Sequence, residues 1–115
     1  MPDGTRIYKI CDQAEWRAAT AVGVYRGSSD DLRDGFIHFS LAEQLRATAA
    51  KWFAGRTDLL LIAFDPHTLG PALRYEASRG GALFPHLYAE LPTGLACSVD
   101  ALPWNGSEHV FPAGL

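Results

Sequence analysis

The chain has 115 residues, 48% of them hydrophobic and 20% charged. That length fits one domain spanning residues 1–115, with a core that needs no disulfide staple. The composition argues against disordered, collagen-like and fibrous classes. A net charge of -3 and an isoelectric point near 5.7 argue against general nucleic-acid binding, which rests on a basic footprint, and still allow a local basic pocket.

Cys11 and Cys97 form neither a CxxC pair nor a zinc-type spacing, so buried free thiols are expected. The N-terminus lacks a basic stretch followed by a long apolar run, and the longest apolar run, Leu59 to Phe64, is too short to span a bilayer. A cytoplasmic protein with no membrane partner is the expectation.

Thr5 to Cys11 reads as a first strand, with Ile7, Lys9 and Cys11 on one face and Tyr8 and Ile10 on the other. Asp12 offers an N-cap with Glu15 three residues on, and the helix it opens runs from Gln13 to about Thr20, closed by Gly23. The polar segment Tyr25 to Gly35 predicts a surface loop with at most one short helical turn. Phe36 to Phe39 is a short strand. Ser40, with Glu43 three residues on, predicts the start of a second helix reaching about Phe53, where Leu41, Leu45, Thr48 and Trp52 recur at helical spacing. Leu59 to Asp65, apolar on both faces, reads as a central strand. Leu73 to Ala77, His86 to Leu91 and Leu95 to Leu102 complete about six strands. Helices crowd the first half and strands the second, which favours α+β over a doubly wound sheet.

The chemistry follows from the faces. Period two places His38 with Phe36 and Ser40, His86 with Tyr88 and Glu90, and Arg74 with Glu76. If those flanks converge, they line a cleft suited to an anionic or nucleotide-like ligand, with a guanidinium gripping phosphate or carboxylate and the histidines available for proton transfer. Ser78-Arg79-Gly80-Gly81 lets backbone amides approach a ligand and reads as a phosphate cradle or a flexible hairpin loop. Each group also has a structural reading: Ser40 as an N-cap, His38 as a satisfied core histidine, Arg74 and Glu76 as an ion pair, Glu90 as a solvated edge charge. No spacing supports a metal site. The nucleotide-binding G-x-x-x-x-G-K and G-x-G-x-x-G patterns and the G-x-S-x-G elbow are absent.

Ile7-Tyr8-Lys9-Ile10, Asp34-Gly35-Phe36-Ile37-His38-Phe39-Ser40, Leu73-Arg74-Tyr75-Glu76, Ser78-Arg79-Gly80-Gly81 and Phe84-Pro85-His86-Leu87-Tyr88 together resemble the family known as domain of unknown function 952. The resemblance runs over nearly the whole chain. It implies an α+β architecture like the ADP-ribosylation fold, with two small antiparallel sheets around a cleft and two main helices. Proteins of that fold bind NAD and transfer ADP-ribose, or act on the 2'-phosphate of RNA. Their site joins a first-strand His or Arg, a Ser/Thr/Tyr element and a late-strand Glu. Here the first strand offers Lys9, His38-Phe39-Ser40 stands for the second element, and Glu90 or Glu76 for the third.

Three functions stay open. In the first, a nucleotide or NAD-like ligand is bound by Lys9, Ser40, Arg74, Arg79, Gly80, His86 and Tyr88, with His38 and Glu76 or Glu90 as the catalytic groups. In the second, the same cleft is a non-catalytic module for a small anionic metabolite or a protein partner. In the third, a small hydrolase uses His38 and His86 as acid and base.

Overall fold

The computed structural model describes residues 5–115, apart from the side chain of Arg79. The elements in chain order are β1 (Ile7–Asp12), α1 (Gln13–Val22), β2 (Val24–Tyr25), α2 (Ser29–Asp34), β3 (Ile37–His38), β4 (Ser40–Leu41), α3 (Leu45–Trp52), β5 (Leu59–Phe64), β6 (Leu73–Ala77), β7 (Leu83–Leu87), β8 (Leu91–Pro92) and β9 (Ala96–Ala101). The class is α+β, with three antiparallel sheets among the described residues, ordered β4-β1-β5-β9, β3-β7-β6 and β2-β8.

The apolar run in β5 puts it in the middle of the largest sheet. It pairs with β1 over six residues, Ile7 opposite Phe64 through Asp12 opposite Leu59, and with β9 on its other side. Both faces of the β1–β5 pair are covered, while β9 is largely exposed. Ile7, Cys11, Ile62 and Phe64 pack with Trp16 of α1, Tyr25, Ile37, Phe39, Leu87 and Leu91. Ile10, Leu59 and Leu61 pack on the opposite face with Leu45 and Ala49 of α3 and with Leu102. The alternation read from β1 is therefore the observed one. Lys9 alone interrupts it, a charged residue on a core-facing side.

Local chemistry sets the helix ends. The Asp12 carboxylate accepts from the Glu15 backbone N–H (3.0 Å), and the Gly23 N–H donates to the Ala19 carbonyl (2.8 Å) with Gly23 in the left-handed region at φ +90°. In the segment expected to be a loop, Ser28 and Asp31 form a reciprocal capping box and start α2.

Two sequence expectations are corrected. Ser40 does not cap the second helix. Its backbone is drawn into β4, opposite Tyr8 of β1, and α3 begins only at Leu45 after a short 3-10 turn. The Gln44 side chain accepts from the Leu41 N–H (2.9 Å) at the start of that turn, and α3 itself has no side-chain cap. The strand expected over His86 to Leu91 is displaced: β7 runs Leu83–Leu87 and ends there. The chain bends at Ala89 and Glu90 so that Leu91 can pair with Tyr25 and bury completely. That bend breaks the period-two relation on which Glu90 was grouped with His86.

Candidate functional site

Antiparallel pairing places His38 of β3 directly opposite His86 of β7, and His86 opposite Arg74 of β6. The two imidazoles stand with ring centroids 5.6 Å apart, at 71° to each other. Phe36 holds both: its ring stacks on His86 at 4.0 Å and tilts against His38 at 4.5 Å. The hydrophilic flanks of β3 and β7 thus meet, as the sequence pattern implied.

Behind His38 lies a carboxylate of α2, in the segment expected to be a surface loop. Asp31 is 2% exposed. Lys9 Nζ donates to both of its oxygens (2.8 and 3.1 Å), the Ser28 backbone N–H donates to Oδ2 (2.9 Å), and the His38 backbone N–H donates to Oδ1 (3.1 Å). Oδ1 also lies 2.6 Å from His38 Nδ1. Burial alone would raise the Asp31 carboxyl, but the bond from His38 and the Lys9 charge outweigh it and hold it well below the usual carboxylate range. Across the ring, Asp34 Oδ2 sits 3.0 Å from His38 Nε2. Lys9, expected as a ligand group, is therefore also the counter-ion of a buried acid.

His86 is anchored from the other side. Its Nδ1 lies 2.8 Å from Glu76 Oε1, which also accepts from the Tyr88 hydroxyl (2.7 Å). These two bonds hold the Glu76 carboxyl below its ordinary range, and the bond to Glu76 raises the Tyr88 phenol. The Arg74 guanidinium lies over the Tyr88 ring at 4.9 Å. The bonded pair of Glu76 and Tyr88, with Arg74 over the Tyr88 ring, supports His86.

Both histidines open on one cavity of about 590 Å³, a size that suits a small-molecule ligand. Lys9 and Tyr8 of β1, Ser40 of β4, Thr48, Lys51 and Trp52 of α3, and Asp30, Arg33 and Asp34 of α2 line it, as do Ser78 and Gly80 of the glycine-rich turn. The Ser40 hydroxyl donates to Thr48 Oγ1 at 3.4 Å. Of the residues singled out in the sequence, Lys9, His38, Ser40, Gly80 and His86 line this cavity. Arg74, Glu76 and Tyr88 stand behind His86 rather than in the wall. The side chain of Arg79 lies outside the described residues. Glu90 lies apart from the cavity, paired with Arg26 (2.8 Å) on the exposed surface. Among the described residues no group of three or more His, Cys, Asp or Glu is arranged to hold a metal ion, and no helix is long and apolar enough to cross a membrane.

Tyr8, Asp30, Asp31, Arg33, Asp34, Thr48, Lys51 and Trp52 are among the lining residues that the sequence pattern did not single out. Asp31 alone carried a signal: Ser28-Ser29-Asp30-Asp31 has the spacing of a capping box.

Residues 10–99 match the family described as Protein of unknown function (DUF952). The crystal structure of protein CC0527 from Caulobacter crescentus is similar at 48% identity, with a TM-score of 0.88 over 91% of this chain and 92% of that one. The solution structure of the same protein gives 0.81, covering 90% of each chain. No curated protein matches this sequence. The α+β arrangement of short antiparallel sheets is shared with that Caulobacter protein, and the chain belongs to the DUF952 family.

Proposed function

We propose that the cavity between β1, β3, β7 and α3 binds a nucleotide-like anion of the NAD or ADP-ribose class, within one domain whose two core clusters share β1 and β5. One observation carries this reading. Side chains from five separate elements open on a single cavity, and they supply the groups such a ligand needs: the His38 and His86 imidazoles, the Lys51 ammonium, the Ser40 and Thr48 hydroxyls, and the Tyr8 and Trp52 rings. A glycine-rich turn at Gly80 lies on the rim. The resemblance to the ADP-ribosylation fold belongs to this reading, since antiparallel sheets flank the cleft, and ADP-ribosyl transfer is the reaction class it suggests.

A second reading, binding without transfer, is favoured by the placement of the two carboxylates expected to act. Glu76 is bonded to His86 and Tyr88, and Glu90 is paired with Arg26, so neither lines the cavity.

Calorimetric titration with ADP-ribose and NAD tests binding, and nicotinamide release from NAD tests transfer. Saturable binding is expected, and Ala47→Trp, which plugs the cavity from α3, should abolish it while the fold persists. Absence of binding at millimolar ligand, or binding unaffected by the plug, contradicts the proposal. Binding without nicotinamide release selects the second reading.

A further inference from the structure

The two histidines are held by different numbers of carboxylates. A neutral imidazole has one N–H and one acceptor nitrogen, whereas an imidazolium has two donors. His38 faces carboxylate oxygens at both nitrogens, Asp31 Oδ1 at Nδ1 (2.6 Å) and Asp34 Oδ2 at Nε2 (3.0 Å). An ionised carboxylate only accepts, so the ring donates Nδ1–H to Asp31, and Nε2 stands at ion-pair distance from Asp34, a contact that a proton on Nε2 would complete. His86 has one acidic partner, Glu76 Oε1 at Nδ1 (2.8 Å). Donation of Nδ1–H to Glu76 leaves Nε2 with its lone pair, and Nε2 makes no hydrogen bond among the described residues and is not among their sealed polar atoms. Two imidazoles with different carboxylate surroundings thus stand 5.6 Å apart by ring centroid, both against one Phe36 ring, on one cavity.

Resting on the reading that this cavity takes a nucleotide-like anion, we propose that it hydrolyses a cyclic phosphodiester of ribose, with His86 as general base and His38 as general acid. Water attacks phosphorus and gives its proton to His86 Nε2. The bond from phosphorus to one ribose oxygen breaks, and that oxygen takes the proton from His38 Nε2. The product is a phosphomonoester, and solvent returns the proton from His86 to His38. In-line displacement at phosphorus needs one proton removed and one delivered at two different oxygens, which is the service this pair offers.

Competing chemistries fit less well. The Ser40 hydroxyl bonds Thr48 rather than a histidine, so no activated side-chain nucleophile is set for acyl transfer. Asp34, at the end of α2 and 34% exposed, occupies His38 Nε2 in the free protein. In the bound state the leaving ribose oxygen takes its place at Nε2, where it can receive the proton. Glu76 is a positioning residue that fixes the His86 tautomer. The charged and titratable groups in contact with the pair are Asp31, Asp34 and, through Asp31, Lys9 around His38, and Glu76, Tyr88 and Arg74 around His86, and Asp30 and Arg33 of α2, Glu43 and Lys51 face it across the same cavity.

The test follows adenosine 2',3'-cyclic monophosphate with the full chain by phosphorus NMR, with amide chemical shifts recorded in parallel to report binding. The expected result is conversion to a monoester with a bell-shaped pH profile. His38→Gln and His86→Gln should each lower kcat/KM by about a hundredfold or more. Glu76→Gln should lower kcat at unchanged KM with the folded amide spectrum kept. Binding without conversion anywhere between about pH 5 and 9 overturns the acid–base proposal and leaves the binding site standing. Neither binding nor conversion overturns both. Conversion that survives both histidine substitutions overturns the assignment of the pair.

Discussion

Asp31 reaches His38 twice through the same oxygen, accepting from its backbone N–H at 3.1 Å and lying 2.6 Å from its ring Nδ1. A single carboxylate thereby fixes both the path of β3 and the orientation of the side chain β3 presents to the cavity. The same carboxylate neutralises Lys9, which projects from the core-facing side of β1. Strand, helix and site are joined at one buried acid.

Asp31→Asn removes the charge and leaves the Lys9 ammonium buried without its counter-ion. Breaking one side of a buried pair is far more damaging than losing a surface bridge, so a loss of about 3 kcal/mol or more is expected in urea unfolding. A change below about 1 kcal/mol, the scale of an exposed pair, would show that Lys9 finds another partner or water.

The pH dependence has a definite sign. The folded Asp31 carboxyl titrates below its ordinary value of 3.8, so the unfolded chain binds the proton first as acid is added. Its contribution is fully present above that ordinary value and is lost as pH falls through the lower folded value. Stability measured downward from pH about 5 should decline, and Asp31→Asn should flatten that decline. An unchanged slope in the variant would place the acid sensitivity elsewhere.

Gly27 permits the Asp31 arrangement. Its φ is +120°, and a Cβ built there would meet Asp31 Cβ at 2.6 Å. Gly27→Ala should therefore shift Asp31 and the His38 amide resonance and destabilise the fold by more than the strained backbone alone, about 1–2 kcal/mol. Gly23→Ala is the internal comparison, because Gly23 is also at positive φ but has nothing within 4 Å of that position. Equal losses in the two variants would remove the steric part of this account.

The cysteines differ in reach. Cys11 is buried in the core beside β5, and burial pushes its thiol up to about 11, while Cys97 is exposed on β9. A thiol reagent at neutral pH should label one cysteine in the folded protein and both in denaturant. Rapid native labelling of Cys11 would mean that the core around β1 opens readily.

The central sheet was legible because its signals are local. The two-faced apolar run of β5, the alternation of β1 and the caps at Asp12 and Gly23 each lie within a few residues of one another. The convergence of His38 and His86 was legible too, since period two decides which side chains share a face. What escaped were features set by distant pairing. Ser40 has the pattern of an N-cap, but pairing with Tyr8 claims its backbone for β4. Glu90 follows His86 in phase until Leu91 turns to meet Tyr25. Asp31 shows only a capping-box spacing, and nothing adjacent in sequence ties residue 31 to residues 9 and 38.

Amide chemical-shift mapping during an ADP-ribose titration tests the central claim most directly. The account predicts saturable shifts at Lys9, His38, Ser40, Thr48 and His86, with residues around the second cavity of about 430 Å³ beside Trp104 and His109 unmoved. Shifts confined to that second cavity, or none at millimolar ligand, would contradict it.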